Sequence, residues 1–414
     1  MAAPVDVLAE PTRPVGSGFL ASLTIANVGI LISFFTPIQN ILPRYAELVA
    51  GAGGKETALA WISGAGAFAS IVVNPVAGAL SDRTTSRLGR RRPWIIAGTL
   101  FGAAMLVLLT MQTTIVGLAL VWALVQSGSN AAFAGVTAYV PDQAPVQQRG
   151  LVSGFIGMAQ VLGVVLGVAL VSYLVTDLAA GAWLVAALLV LLPVPLLLAV
   201  PDGRLDPARR RPFRLGEFVR GFWLDPREHP DFAWAWITRF LMWLGTAMAT
   251  LYLLFYLQDG IGYPEPAKGQ TMLIGLYGLG TLLTAVIGGR LSDRSGRRKV
   301  FVLWASLVMA AAALVLAFVP TFPAAAVAAL VLGLGYGVYL AVDQALITQV
   351  LPTAQDRARD LGIINIANAA PQVLAPVIAA PLVTRFGGYP ALYTAVAVST
   401  ALAGILVRQI RSVP

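Results

Sequence analysis

The chain has 414 residues, 58% hydrophobic and only 11% charged, against about 25% charged for an average soluble domain. Its net charge of +9 would suggest nucleic-acid binding in a soluble domain, but here the charge is confined to short intervals between long apolar runs. The chain contains no cysteine, which excludes disulfides, thiol chemistry and Cys-ligated metals.

Residues 1–16 form a polar, proline-containing tail. Twelve apolar runs of roughly 20 residues follow, each long enough to cross a bilayer as a helix: 17–42, 57–80, 93–111, 115–140, 150–175, 180–200, 232–258, 269–290, 299–318, 324–350, 361–385 and 389–408. The first is too long for a signal-peptide core and leads into Pro37, Gln39 and Asn40 without a small-residue cleavage pattern. It is therefore expected to remain as a permanent helix. The frequent Gly and Pro residues within the runs suit membrane helices better than soluble ones.

Between the second and third runs lies a charged turn, 78–93. It holds Asp82 and five arginines, Arg83, Arg87, Arg90, Arg91 and Arg92. A shorter copy returns at 289–299, with Asp293, Arg294, Arg297, Arg298 and Lys299. Both copies place Asp-Arg four residues after a glycine and then reach Gly-Arg-Arg; the first copy carries four extra residues between the two parts. A charged turn repeated at the same place in two apolar halves indicates a duplicated chain.

The longest polar interval, 201–231, contains seven arginines and divides the chain into halves 1–200 and 232–414. Within it, Phe213, Phe218, Phe222 and Trp223 alternate with Arg214, Glu217 and Arg220. This pattern fits either an amphipathic segment on the inner leaflet or an irregular basic linker. The single histidine, His229, belongs to this interval and reads as a solvated surface group. With the N-terminus inside, inner loops and tails hold 23 of the 28 Lys/Arg and outer loops hold four: Arg44, Lys55, Lys268 and Arg385. That asymmetry predicts a multi-pass protein of the inner or plasma membrane with both termini cytoplasmic.

Polar residues inside the runs follow a rule. The third, sixth, ninth and twelfth runs carry no amide or charged residue in their cores, and the sixth has only the Trp183 indole. The first carries Asn27, Gln39 and Asn40, the fourth Gln126 and Asn130, and the fifth Gln160. The seventh carries Arg239, the tenth Asp343 and Gln344, and the eleventh Asn365, Asn368 and Gln372. A polar side chain facing lipid is costly, so these residues are expected to face a bundle interior or a wet cavity. Every third helix then faces lipid, the pattern expected of four three-helix repeats paired within two parallel halves. The predicted fold class is an all-α membrane protein of twelve transmembrane helices in two pseudo-symmetric six-helix bundles.

Twelve helices, two halves and the repeated Gly-x-x-x-Asp-Arg…Gly-Arg-Arg turn resemble the major facilitator superfamily. The longer first turn is similar to that of the sucrose–proton symporters and the related glycoside–cation symporters. The stretch from Asp360-Leu361-Gly362 to Asn368-Ala369-Ala370-Pro371-Gln372 resembles bacterial members of that group. The resemblance implies that Asp82 and Asp293 act as gating residues that contact the neighbouring half when the inner gate is shut. Arg83, Arg90, Arg91, Arg294 and Arg297 would help them. Topology alone is the other reading of these arginines. The sequence departs from the drug–proton antiporters, because Trp122-Ala123 stands where they carry an arginine before Gln126-Ser127-Gly128. Their Gly-Pro signature is also missing from Gly154, Gly157, Gly163 and Gly167. The acidic residue that the sucrose carriers place in the fourth helix has no counterpart within 115–140.

Asp343 is the one acid well inside an apolar run, nine residues before Pro352 and so about 13 Å from that end. Holding a charge there costs roughly 2.5–3.5 kcal/mol on insertion scales. Arg239 is expected at similar depth, so the two can form either a proton-coupling pair or a structural ion pair. Asn27, Gln39, Asn40, Gln126, Asn130, Gln160, Tyr336, Tyr339, Asn365, Asn368 and Gln372 make an amide- and aromatic-rich inventory suited to a neutral polyhydroxylated solute. For each, an interhelical hydrogen bond is the competing reading, and Gly163-x-x-x-Gly167 reads as close helix packing.

The chain is thus expected to be a secondary active transporter, a proton-coupled symporter of a saccharide or glycoside with no cofactor and no metal, acting as a monomer. An efflux antiporter of amphipathic molecules is the alternative. No catalytic constellation and no nucleotide-binding loop is present, which argues against an enzyme and against ATP-driven transport.

Overall fold

A computed structural model describes residues 11–175, 177–209, 216, 226–350 and 357–412, and the side chains of most of them. Hydrocarbon offers no partner for a backbone N–H or C=O, so each apolar run closes its own hydrogen bonds as a helix. The first half consists of α1 (Ser17–Ala50), α2 (Lys55–Ser81), α3 (Arg92–Leu109), α4 (Ile115–Gln143), α5 (Arg149–Ala169, extended by Leu170–Leu174) and α6 (Leu178–Ala199). The second half consists of α7 (Pro230–Leu251, then Leu253–Gly260 after a 45° bend), α8 (Pro266–Ser295), α9 (Arg298–Phe318), α10 (Phe322–Val350), α11 (Arg357–Thr384) and α12 (Gly388–Leu406). This is an all-α membrane protein. Among the described residues, ten helices are each long and apolar enough to cross a bilayer, and the bent α7 makes an eleventh.

Helix ends follow local chemistry. Thr114 and Asp177 accept the N–H groups of Gly117 and Ala180 and cap α4 and α6. Gly296, with φ of 66°, closes α8 in the left-handed conformation that glycine alone adopts without cost. Three helices widen into π turns: Pro37–Ile41 in α1, Leu170–Leu174 in α5 and Tyr256–Gly260 in α7. In the first, Pro37 has no N–H to give and the Leu42 amide reaches back five residues to the Pro37 carbonyl.

The helices outrun the apolar counts. The charged turn Pro43-Arg44-Tyr45-Ala46-Glu47 ends the hydrophobic run but not the helix, and α1 continues to Ala50. Lys55, read as an outer-loop residue, is instead the buried first residue of α2. At the other end of the first half, α4 continues to Gln143 and so carries Asp142.

The chain forms two compact units. One comprises 1–44 and 65–214; the other comprises 45–64 and 215–414, so the hairpin tip joining α1 to α2 belongs to the second. In the first unit, α1 packs on α5, α6 and α4, and α3 packs on α4 and α6. Glycines permit the closest approaches. A Cβ on Gly128 of α4 would lie 2.6 Å from the Gly102 amide of α3, and Gly163 and Gly167 bring α5 against Leu31 and Thr36 of α1. In the second unit, α8 packs along α10 through Gly280, Gly333 and Gly337, α9 packs on α10 and α12, and α7 packs on α11 and α12. Its core gathers Phe232, Met242, Met309, Tyr336, Tyr339 and Val342.

The α3–α4 contact is backbone against backbone, with no flexible side chain to give way. Gly128→Val is therefore expected to cost about 1–3 kcal/mol through overpacking, read as a lower thermal unfolding midpoint in detergent. An unchanged midpoint would remove the close-approach account.

Candidate functional site

In the second unit, α7, α10 and α11 bring three polar side chains into one buried cluster. The Arg239 guanidinium donates from Nη1 to Asp343 Oδ2 at 2.7 Å and from Nε to Asn368 Oδ1 at 2.6 Å. The two charged side chains are 4% and 5% exposed. Removing one member of such a pair leaves the other charge uncompensated, typically at about 3–5 kcal/mol. Tyr336 and Tyr339, each within one or two turns of Asp343 on α10, flank the pair, and Tyr277 of α8 stacks obliquely on Tyr336 with ring centroids 5.6 Å apart. The Tyr277 hydroxyl is buried without a hydrogen-bond partner, whereas the Tyr339 hydroxyl lies within hydrogen-bonding reach of the Asp343 carboxylate. Gln372 is half-buried on α11, whereas the side chains of Gln344 and Asn365 lie outside the described residues. Tyr277 was not singled out from the sequence, because a lone tyrosine in an apolar run carries no distinguishing pattern.

The first unit holds a neutral counterpart between α2 and α4. Asn130 Nδ2 donates to Ser70 Oγ at 2.9 Å and to Gln126 Oε1 at 3.2 Å. Ser70 Oγ donates to Gln126 Oε1 at 3.2 Å, and Asn74 Nδ2 donates to Asn130 Oδ1 at 3.2 Å. Both Ser70/Asn74 and Gln126/Asn130 are spaced i, i+4, which places each pair on one helix face. That spacing was the available signal for Ser70 and Asn74, which the sequence reading left out. Next to this network, Ser33 of α1 donates to Ser129 of α4 at 3.0 Å. Asn27 is fully buried on α1. Its amide donates to its own helix at Leu23 and its Oδ1 has no partner.

The remaining candidates stand apart from these clusters. Asn40 donates to Ser172 Oγ at 3.1 Å and so ties the π turn of α1 to that of α5; Gln39 is buried in the same turn. This is the interhelical role that competes with solute binding. Gln160 is half-buried on α5.

The first charged turn forms a closed network inside the first unit. Arg91 pairs with Asp82 at 2.6 Å and, through Nε, with Asp142 at 2.8 Å; it also donates to Ser81 Oγ. Arg90 reaches the same Asp142 at 3.0 Å. Burial alone would lower the Arg91 pKa, but the hydrogen bond and charge of Asp142, and then those of Asp82, outweigh it and raise it. Asp202, just past α6, accepts the backbone amides of Arg91 and Arg92 at 2.6 and 2.8 Å and caps α3 from outside its own sequence neighbourhood. Gly89 makes this approach possible. Its φ is 105°, and a Cβ there would lie 2.3 Å from the Asp202 carboxylate. Arg83 donates to the Ala79 carbonyl at the end of α2. In the second copy, Arg294 and Arg297 are exposed and the Asp293 side chain lies outside the described residues. Asp142 and Asp202 escaped the sequence reading because they lie 51 and 111 residues from Arg91.

A further ion cluster lies in the second unit. Buried Lys55 pairs with Asp259 at 2.7 Å and Glu47 at 3.5 Å, and its ammonium sits 4.7 Å from the Phe255 ring centre. Gln258 donates to Glu47 at 2.9 Å, and the Tyr252 hydroxyl donates to the Glu56 carbonyl at 3.0 Å. These contacts bind the 45–64 tip to the π turn of α7.

The arrangement can hold charge, hydrogen-bond a neutral solute and break and remake ion pairs. Among the described residues it has no cluster of three or more His, Cys, Asp or Glu residues able to hold a metal. Comparisons agree on the type of protein. The sequence profile of the Major Facilitator Superfamily matches residues 16–274 and 266–413. Among solved structures, a nucleoside transporter aligns with a TM-score of 0.73 at 13% identity, covering 95% of this chain and 98% of its own. Two structures of a POT family transporter, bound to a thioalcohol-conjugated peptide and to 5-aminolevulinic acid, align with a TM-score of 0.74 at 14% identity. Each covers 94% of this chain and 95% of its own, and at these identities the likeness is one of fold. A general alpha-glucoside permease of Schizosaccharomyces pombe is 34% identical over 99 residues, which are 24% of this chain and 17% of that permease. The chain, a multi-pass membrane transporter and not an enzyme, belongs to the Major Facilitator Superfamily.

Proposed function

We propose that this transporter is a proton-coupled symporter of a neutral saccharide or glycoside, working as a monomer by alternating access. Its moving parts are bundles 1–200 and 232–414, joined by the cytoplasmic linker 201–231, in the cell membrane with both termini cytoplasmic. The observation that carries the reading is the buried Arg239–Asp343 pair, held by Asn368 and flanked by Tyr336 and Tyr339. A carboxylate at this depth exchanges a charge for a proton at low structural cost only if its cation has a second partner, and Asn368 is that partner. The neutral amides of the first unit suit hydroxyl groups, since each amide both donates and accepts. The short stretch of likeness to an alpha-glucoside permease points to the same solute class.

In this mechanism Asp343 takes up a proton and releases part of its hold on Arg239, which lets the cluster rearrange as solute binds. The gating contacts are Asp82, Arg83, Arg90 and Arg91 in the first turn and Asp293, Arg294 and Arg297 in the second. The Lys55–Asp259–Glu47 cluster serves at the opposite helix ends.

Asp343→Asn in proteoliposomes is expected to abolish proton-driven accumulation while solute counterflow persists, because the amide keeps an acceptor for Arg239 but cannot titrate. Accumulation at the wild-type level would show the pair to be structural. Gln126→Ala and Asn130→Ala are each expected to raise the apparent Kd for the solute about tenfold, equivalent to about 1.4 kcal/mol. Thermal stabilisation by a panel of mono- and disaccharides reads that change, since saturation at about 100 Kd adds about 2.7 kcal/mol. If no saccharide shifts the midpoint and amphipathic cations do, the efflux antiporter replaces the symporter.

A further inference from the structure

We propose that a recess between α8, α9 and α10 binds one acyl chain of an anionic phospholipid, whose phosphate sits against the basic turn that starts α9. The recess has a volume of about 480 Å³. Its outer rim is a strip of α9, with Val300, Trp304 and Val308 at i, i+4 and i+8 exposed by 45%, 62% and 41%. That strip is about 12 Å long at 1.5 Å per residue. The floor is made of small residues. Ala305 and Gly335 lie where α9 meets α10 so closely that a Cβ on Gly335 would come 3.0 Å from the Ala305 carbonyl.

The lining makes no polar demand on an occupant. The Thr284 hydroxyl is committed to the carbonyls of Gly280 at 2.9 Å and Leu334 at 2.7 Å, and the Trp304 indole N–H is the one other polar side-chain group of the lining. In a bilayer such a hollow is filled by hydrocarbon, and its concavity gives an acyl chain more contact than a flat helix face does. The charge at one end selects the lipid. Arg294 and Arg297 are exposed, and Arg297 stands in the turn immediately before α9, three residues ahead of the rim residue Val300. Lys299 is already committed to the Ile410 carbonyl at 2.9 Å. Two exposed guanidinium groups beside an apolar slot match a phosphate followed by a fatty chain, whereas a free phosphate would leave the slot unused.

The proposal is independent of the solute reading, because its test counts lipids and not transported molecules. The full-length protein is exchanged into dioleoylphosphatidylglycerol or dioleoylphosphatidylcholine mixed with detergent and examined by native mass spectrometry. One phosphatidylglycerol is expected to remain bound under conditions that strip phosphatidylcholine, with about tenfold preference. Val308→Trp, which fills the recess from its exposed rim, is expected to abolish the retained lipid. The double variant Arg294→Gln/Arg297→Gln is expected to reduce phosphatidylglycerol retention to the phosphatidylcholine level. Equal retention of the two lipids by the unaltered protein overturns the proposal, and so does undiminished retention in Val308→Trp. Should Val308→Trp fail to fold, Trp304→Ala removes the same rim without adding volume, and the same two outcomes decide.

Discussion

Hydrocarbon supplies no hydrogen bonds, and the structure is a set of answers to that fact. Each helix satisfies its own backbone, and each polar side chain within a span has to find its partner in a neighbouring helix. Arg239 and Asp343 are the extreme case. An isolated charge at that depth is expensive, so the two exist only as a pair, and the pair fixes α7 against α10. Asn368 adds α11, which makes three helices answerable to one guanidinium. Ser70, Asn74, Gln126 and Asn130 solve the same problem without charge and fix α2 against α4.

At the helix ends, carboxylates converge on a few cations. Asp82 from just past α2, Asp142 from α4 and Asp202 from just past α6 all meet the segment Arg91-Arg92 that opens α3. The ends of four helices therefore share one charged knot, and the repeated turn is only its visible part. Lys55 does the same with Glu47 and Asp259. Side-chain exposure ranges from 3% for Lys55 and 4% for Arg91 to 59% for Asp82, so solvent screens the members of these networks very unequally. The contacts of Asp82 are correspondingly the easier to break.

Helix positions were legible because the bilayer imposes one length and one polarity on every span. The meeting of Arg239 and Asp343 was also legible, since two lone charges in apolar runs at matching depth have few other solutions. Partners drawn from helix ends were not. Asp142 reads as a loop acid until α4 is seen to continue through Pro141, and Lys55 reads as an outer-loop cation until α2 is seen to begin with it. Asn40 shows the opposite limit. Its amide reads like the amides of Gln126 and Asn130, yet its Nδ2 is spent on Ser172. Composition identifies which residues are costly in a membrane and does not say whether a helix or a solute answers the cost.

That distinction bears on the solute. The solved relatives share the fold at 13–14% identity, and their names span nucleosides, peptides and an amino acid, so the fold leaves the solute open. Side chains must choose it. In the symport reading, the two units divide the work: neutral amides in one recognise hydroxyl groups, and a charge pair in the other responds to protons. Such a division is physically economical, because a cation or anion as solute would compete directly with Arg239 or Asp343 for its partner. In that reading a neutral solute leaves the pair free to titrate, with Asn368 and Tyr339 holding the two charged side chains in place.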